Sequence, residues 1–121
     1  MTTHTTRQFD LDALARAIEE RDAAGQLDLF DDDAEVTLID RLNPPGSPRV
    51  LAGKPAIREW IEDVCSRDMT HRVELQVLDG DRAAFSESCR YPDGASVVCA
   101  AFMQLRDGRV ARMTGVQAWD E

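Results

Sequence analysis

Leu11, Leu14, Ala15 and Ile18 fall at the i, i+3, i+4, i+7 spacing that gathers one apolar stripe on a helix. Asp10 is placed to cap that helix, and Phe9 before it can staple onto Leu14. The pattern predicts a helix over 10–24, closed by Gly25, and a second short helical segment over 26–31. Val36 and Leu38 alternate with Glu35, Thr37 and Ile39 as in a strand. The run Asn43-Pro44-Pro45-Gly46-Ser47-Pro48 is a loop, since adjacent prolines join neither a helix nor a central strand. A short strand over 49–52 follows. Ile57, Trp60, Ile61 and Val64 then repeat the helical spacing after Pro55, which suits a first helical turn, and predict a third helix over 54–67.

Beyond residue 70 the period changes. Asp79-Gly80, Asp93-Gly94 and Asp107-Gly108 stand fourteen residues apart, and Asp-Gly favours the positive φ that tight hairpins require. The segments around them predict four antiparallel strands over 71–78, 82–91, 95–106 and 109–119. Strands alternate faces, so parity assigns the inward side chains. In the first of these strands Val73, Leu75 and Val77 form the inner set, with His71 on the same parity. Phe85, Cys89 and Tyr91 follow in the second, with Glu87 on their face, and Met113, Gly115, Gln117 and Trp119 in the last. Val98, Ala100, Phe102, Val116 and Ala118 then point outward, an apolar patch that predicts a two-fold dimer through the sheet, rimmed by Arg90, Arg112 and Asp120.

The chain has 121 residues, enough for one domain, expected over 9–121 after a short disordered lead-in over 1–8. A formal charge of −9 argues against nucleic acid and anionic membranes as partners, and no apolar run is long enough for a membrane helix. The N-terminal residues lack the basic start and apolar core of a secretory signal. Cys65, Cys89 and Cys99 are odd in number and lack a Cys-x-x-Cys spacing, which points to reduced thiols and a cytoplasmic home. Cys89 and Cys99 flank one hairpin nearly equally and are expected as cross-strand neighbours without a disulfide.

Four polar groups fall on otherwise inward faces: Asp40, His71, Glu87 and Gln117. Asp40 adjoins the proline-rich loop, where it either caps a turn or faces the pocket. Glu87, between Phe85 and Cys89, is costly to bury without a partner unless its strand faces outward. A carboxylate in an apolar pocket has its charged form disfavoured, which suits general acid–base work, and a nearby histidine can handle the second proton. Gln117 reads as an orienting hydrogen bonder. Asp31-Asp32-Asp33 lacks flanking ligands at useful spacing and reads as a solvated turn, not a metal site. Nucleophile elbow, Walker loop, dinucleotide fingerprint and His-Glu-x-x-His are all missing from the sequence.

A helix, then LDLFDDDAEVTL, a Pro/Gly loop, LAGKPAIREWI, VLDGDRAAF and LRDGRVARM before Trp119-Asp120 resembles the nuclear transport factor 2-like superfamily, closest to its SnoaL-like and ketosteroid-isomerase-like branch. The resemblance covers residues 9–120. It implies an α+β cone: a curved antiparallel sheet packed against three N-terminal helices, with an internal pocket. It also implies a dimer. Ketosteroid isomerases pair an Asp base with an oxyanion hole of Tyr and protonated Asp. Here the base position falls on Leu38, with Asp40 two residues on and on the same face. Ala17 and its neighbours offer no Tyr, and the acid position falls among Val97, Cys99, Ala101 and Met103. Steroid isomerisation is therefore not expected.

Two readings follow. One is an acid–base enzyme of the isomerase, cyclase or dehydratase type, needing no cofactor. It would act on a small hydrophobic carbonyl compound, with Asp40, His71 and Glu87 as catalytic residues. Trp60, Phe85, Cys89, Cys99, Met113, Gln117 and Trp119 would hold the ligand. The other is a binding module of the same fold. Enzymatic work requires at least two of Asp40, His71 and Glu87 within direct or one-water reach.

Overall fold

The start of the first helix follows its sequence signals closely. In the computed structural model, which describes residues 8–120, α1 spans Leu11–Glu19. Asp10 accepts from the Ala13 amide at 2.9 Å, and Phe9, Leu11, Leu14 and Ile18 are buried in one cluster. The end of the helix differs from expectation. Arg21 takes a left-handed φ of 55°, and Asp22 caps a separate α2, Ala23–Leu27, by accepting from the Gly25 amide. Gly25 lies inside α2 instead of closing α1. A Cβ there would stand 2.5 Å from Asp22 Oδ2 and 3.3 Å from the Ala17 Cβ, so glycine lets the two helices meet. The lead-in expected over 1–8 lies outside the described residues apart from Gln8.

Strand β1, Phe30–Ile39, begins where the second helical segment was expected to end. β2 is Arg49–Ala52, and α3, Lys54–Ser66, carries Pro55 in its first turn and buries Ile57 and Ile61. β3 (Thr70–Asp79), β4 (Arg82–Arg90), β5 (Ser96–Arg106) and β6 (Arg109–Trp119) form the expected antiparallel meander. The six strands make one open sheet in the order β2-β1-β6-β5-β4-β3. It is mixed and not wholly antiparallel, because β1 joins β6 in parallel. Three helices on this sheet give the expected α+β class.

Bulges shape the sheet. Between Phe30 and Glu35 the register of β1 slips against β6, so Asp31-Asp32-Asp33 is an irregular stretch of strand, not a turn. Asp31 is paired there with Arg106, whose hydrogen bond and charge hold its carboxyl below the ordinary carboxylate range. A second bulge lies between Val73 and Gln76 of β3. It reverses the parity beyond it: His71 and Val73 face inward opposite Cys89 and Glu87, but Val77 pairs with Ala84 on the outer face. The expected inward Leu75 and Val77 are accordingly exposed, at 70% and 62%.

The core runs between the helices and the inner face of the sheet. Leu14, Ile57, Val36 and Val110 are its largest fully buried side chains. A smaller cluster of Met69, Cys89 and Val97, flanked by Tyr91, Cys99 and Trp119, sits toward the other end of β4–β6. No helix among the described residues is long and apolar enough to cross a membrane.

Candidate functional site

Antiparallel register aligns the inner side chains in rows across the sheet. One row runs Trp119, Val97, Cys89, His71; the next runs Gln117, Cys99, Glu87, Val73. Gly115, Ala101 and Phe85 follow, and two small residues in that row leave space above the sheet. Helix α3 contributes Trp60 and Ile61 to the lining of that space, and α1 contributes Leu14 and Ile18. The result is an open cavity of about 910 Å³. Trp60, Phe85, Cys89, Cys99, Met113, Gln117 and Trp119 all line it, as do Asp40, His71 and Glu87.

His71 and Glu87 meet directly. His71 Nδ1 lies 2.7 Å from Glu87 Oε2, and the two side chains are only 4% and 12% exposed. The Cys89 thiol donates to the same oxygen at 2.8 Å, and its sulfur is 3.3 Å from His71 Nδ1. With Oε2 accepting from both, Nδ1 carries the imidazole hydrogen, and Nε2 retains a lone pair when the ring is neutral. The adjacent Cys99 thiol, burial and the Glu87 carboxylate together push the Cys89 thiol far up, so Cys89 is a hydrogen-bond donor rather than a thiolate nucleophile. Burial likewise raises Cys65, against a hydrogen bond from Gln26. All three cysteines are free, and Cys89 and Cys99 are diagonal neighbours in the β4–β5 register.

Asp40 belongs to the rim. Its Oδ1 accepts from the Leu42 amide at 2.8 Å and from the Asn43 amide and side chain at 2.9 Å each. Burial pushes its carboxyl up, but hydrogen bonds from Asn43 and Leu42 and the charge of Arg49 outweigh it and leave a net lowering. Asp40 thus caps the turn at the end of β1 and is kept ionised there. Of the three expected acid–base groups, the fold pairs two and occupies the third with its own loop.

Gln117 is oriented by its neighbour: its Oε1 accepts from Trp119 Nε1 at 3.0 Å, so its amide NH₂ is the group left to donate into the cavity. Two further side chains flank the indole. Tyr91 stacks on Trp119 at 5.9 Å between ring centroids, and Arg41 lies 4.2 Å over the Trp119 ring. Arg67, donating to the Tyr91 hydroxyl at 3.1 Å and to Asp63 at 2.6 Å, continues this wall. Sequence reasoning missed Arg41 and Arg67. They come from a loop and a helix end, where no periodicity marks which way a side chain turns. Among the described residues, His71, Glu87 and Cys89 are the one set of three whose ligand atoms gather as a metal site would require, all within 4.8 Å of one another.

The sequence profile of the SnoaL-like domain matches residues 11–113 of this chain. The chain belongs to that family. No protein of curated function matches it by sequence. Solved structures share the SnoaL-like fold at low identity. A nuclear transport factor 2-like protein of unknown function from Mesorhizobium loti superposes with a TM-score of 0.77 at 19% identity, over 89% of this chain and 87% of the other. A candidate ketosteroid isomerase from Kribbella flavida gives 0.74 at 21%, over 91% and 74%. A candidate polyketide cyclase from Sinorhizobium meliloti gives 0.66 at 21%, over 87% and 91%. At these identities the likeness is one of fold, and within a SnoaL-like fold the chemistry has to be argued from the side chains.

Proposed function

We propose that this SnoaL-like protein binds a small, largely apolar carbonyl compound in the cavity and moves a proton on it through His71 and Glu87. The observation that carries the reading is the part-buried 2.7 Å contact between these two side chains on a cavity wall. Glu87 fixes the ring and balances a positive charge on it, so His71 can take a proton from a carbon beside the carbonyl and return it elsewhere. The oxygen that gains negative charge needs a donor, and the Gln117 amide is the one on the row of Glu87. Isomerisation, aldol-type cyclisation and dehydration all begin with that step. The candidate isomerase and cyclase among the structural neighbours are consistent with it. Asp40, held by its turn, has no part in the transfer.

The test is solvent exchange. Small cyclic and aromatic ketones that raise the melting temperature are incubated with the protein in deuterated water, and loss of the proton beside the carbonyl is followed by NMR. Exchange that disappears in both His71→Ala and Glu87→Gln is the expected result. Binding without exchange would assign the cavity to a non-catalytic binding module instead.

Two further properties belong to the same proposal. The chain works as a homodimer through the outer face of the sheet, where Val98, Phe102 and Val116 are 56%, 57% and 39% exposed. Val77, brought outward by the β3 bulge, extends this patch through Ala84 to Phe102. Its home is the cytoplasm, a reading supported by cysteines that are odd in number and lack a Cys-x-x-Cys spacing.

A further inference from the structure

The His71, Glu87 and Cys89 cluster combines three kinds of donor around one point, and proton transfer uses only two of them. An imidazole nitrogen, a carboxylate oxygen and a thiol sulfur stand 2.7, 2.8 and 3.3 Å apart, edge by edge. Alternation along β4 puts Glu87 and Cys89 on one face, and His71 is the cross-strand partner of Cys89, so backbone register holds the triangle together. Its open side is the cavity, which gives both a route in and a free position.

We propose that these three side chains form a binding site for a thiophilic divalent cation of the zinc type, with its fourth position open to the cavity. The donor chemistry selects the ion. Thiolate with imidazole suits zinc, whereas magnesium and calcium prefer oxygen donors alone. Geometry fits as well. Tetrahedral zinc, with bonds of about 2.0–2.3 Å, separates its ligand atoms by roughly 3.4–3.6 Å. The His71–Cys89 edge is within a few tenths of an ångström of that range, and Glu87 reaches it by withdrawing less than about 1 Å along a flexible side chain. The three atoms now share protons where a cation would stand. On binding, the thiol proton leaves to solvent, and His71 moves its hydrogen to Nε2 so that Nδ1 can ligate. This inference goes beyond the proton-transfer reading and does not depend on it: a cation held by Glu87 and His71 would occupy the pair that otherwise moves the proton.

Cobalt(II) is the probe, because a cobalt–thiolate bond has a charge-transfer absorption that nitrogen and oxygen ligands lack. Chelator-treated full-length protein is titrated with cobalt and then with zinc as competitor, in the absence of any carbonyl compound. We expect one cobalt per chain, tetrahedral visible bands, a thiolate band, and displacement by one equivalent of zinc. Loss of an outer-sphere partner already costs about 10–100-fold in metal affinity, so Cys89→Ser and His71→Asn should each weaken cobalt binding by about 100-fold or more. Cys89→Ser should also remove the thiolate band, with folding verified by circular dichroism, and Cys65→Ser should keep it. A cobalt spectrum without a thiolate band, or a band that survives in Cys89→Ser, overturns the proposal. Deuterium exchange measured in chelator leaves the proton-transfer reading to be judged separately.

Discussion

Removing the carboxylate of Glu87 should be far more costly than removing another glutamate from the same sheet. Glu87 Oε2 accepts from His71 Nδ1 at 2.7 Å and from the Cys89 thiol at 2.8 Å, and Cys89 is 5% exposed. Glu87→Ala strands both donors. Loss of a hydrogen bond to a charged acceptor costs about 1.5–3 kcal/mol, and the thiol, a weak donor, adds less. Water entering from the cavity offsets part of this. A net loss of about 2 kcal/mol follows, which for a domain of this size lowers Tm by roughly 6–10 °C. Glu74 supplies the control. Its Oε1 accepts from Ser88 Oγ at 2.6 Å, also between β3 and β4, but on the exposed outer face. Glu74→Ala should cost under about 0.5 kcal/mol. Urea unfolding of both variants decides the matter. Replacing both His71 and Glu87 by Leu should recover most of the loss, because two matched apolar side chains leave no buried partner unpaired. Equal costs for Glu74→Ala and Glu87→Ala would show that the His71–Glu87 contact is no better shielded from water than the surface Ser88–Glu74 one.

Asp40, whose carboxyl is lowered from 3.8 in the folded chain, should stabilise the fold only while ionised. Its contribution, read as the urea midpoint of wild type minus that of Asp40→Ala, should be constant at neutral pH. It should shrink once pH falls below 3.8 and vanish below the folded value; a difference that grows on acidification would reverse the sign of the argument. For assembly, light scattering at micromolar concentration should give twice the chain mass, and Phe102→Lys should give the monomer mass with an unchanged circular dichroism spectrum. A wild-type monomer would remove the outer face as a contact.

The parts legible in the sequence were those set by local chemistry. The three Asp-Gly hairpins place β3–β6 within a residue or two of expectation, since Gly80, Gly94 and Gly108 all take positive φ, at 60°, 93° and 76°. The start of α1 was legible for the same reason: Asp10, Phe9 and Leu14 are a few residues apart and act within one turn. The end of α1 was not. Gly25 resembles a helix terminator by type, but its role is fixed by how close Ala17 and Asp22 come, which is a tertiary fact. Pairing of β1 with β6 was equally hidden, since nothing local distinguishes a parallel neighbour some 80 residues away from an antiparallel one nearby.

The candidate site divides along the same line. Parity along β4 places Glu87 with Phe85 and Cys89, and that rule holds because β4 pairs with β5 without interruption. Along β3 the identical rule fails after Val73, because one bulge shifts every later side chain to the other face. His71 lies before the bulge and Val77 after it, so one strand supplies both a pocket residue and part of the outer apolar patch. A bulge here therefore serves both surfaces: without it Val77 would keep the parity of His71, and the row from Val77 through Ala84 to Phe102 would lose its end. Asp40 shows the remaining ambiguity. Its parity was inward, and it does line the cavity, but three hydrogen bonds from Leu42 and Asn43 commit the accepting oxygen to the turn. Face and function are separate questions for a carboxylate. Periodicity answers the first, and only the partners gathered by the fold answer the second.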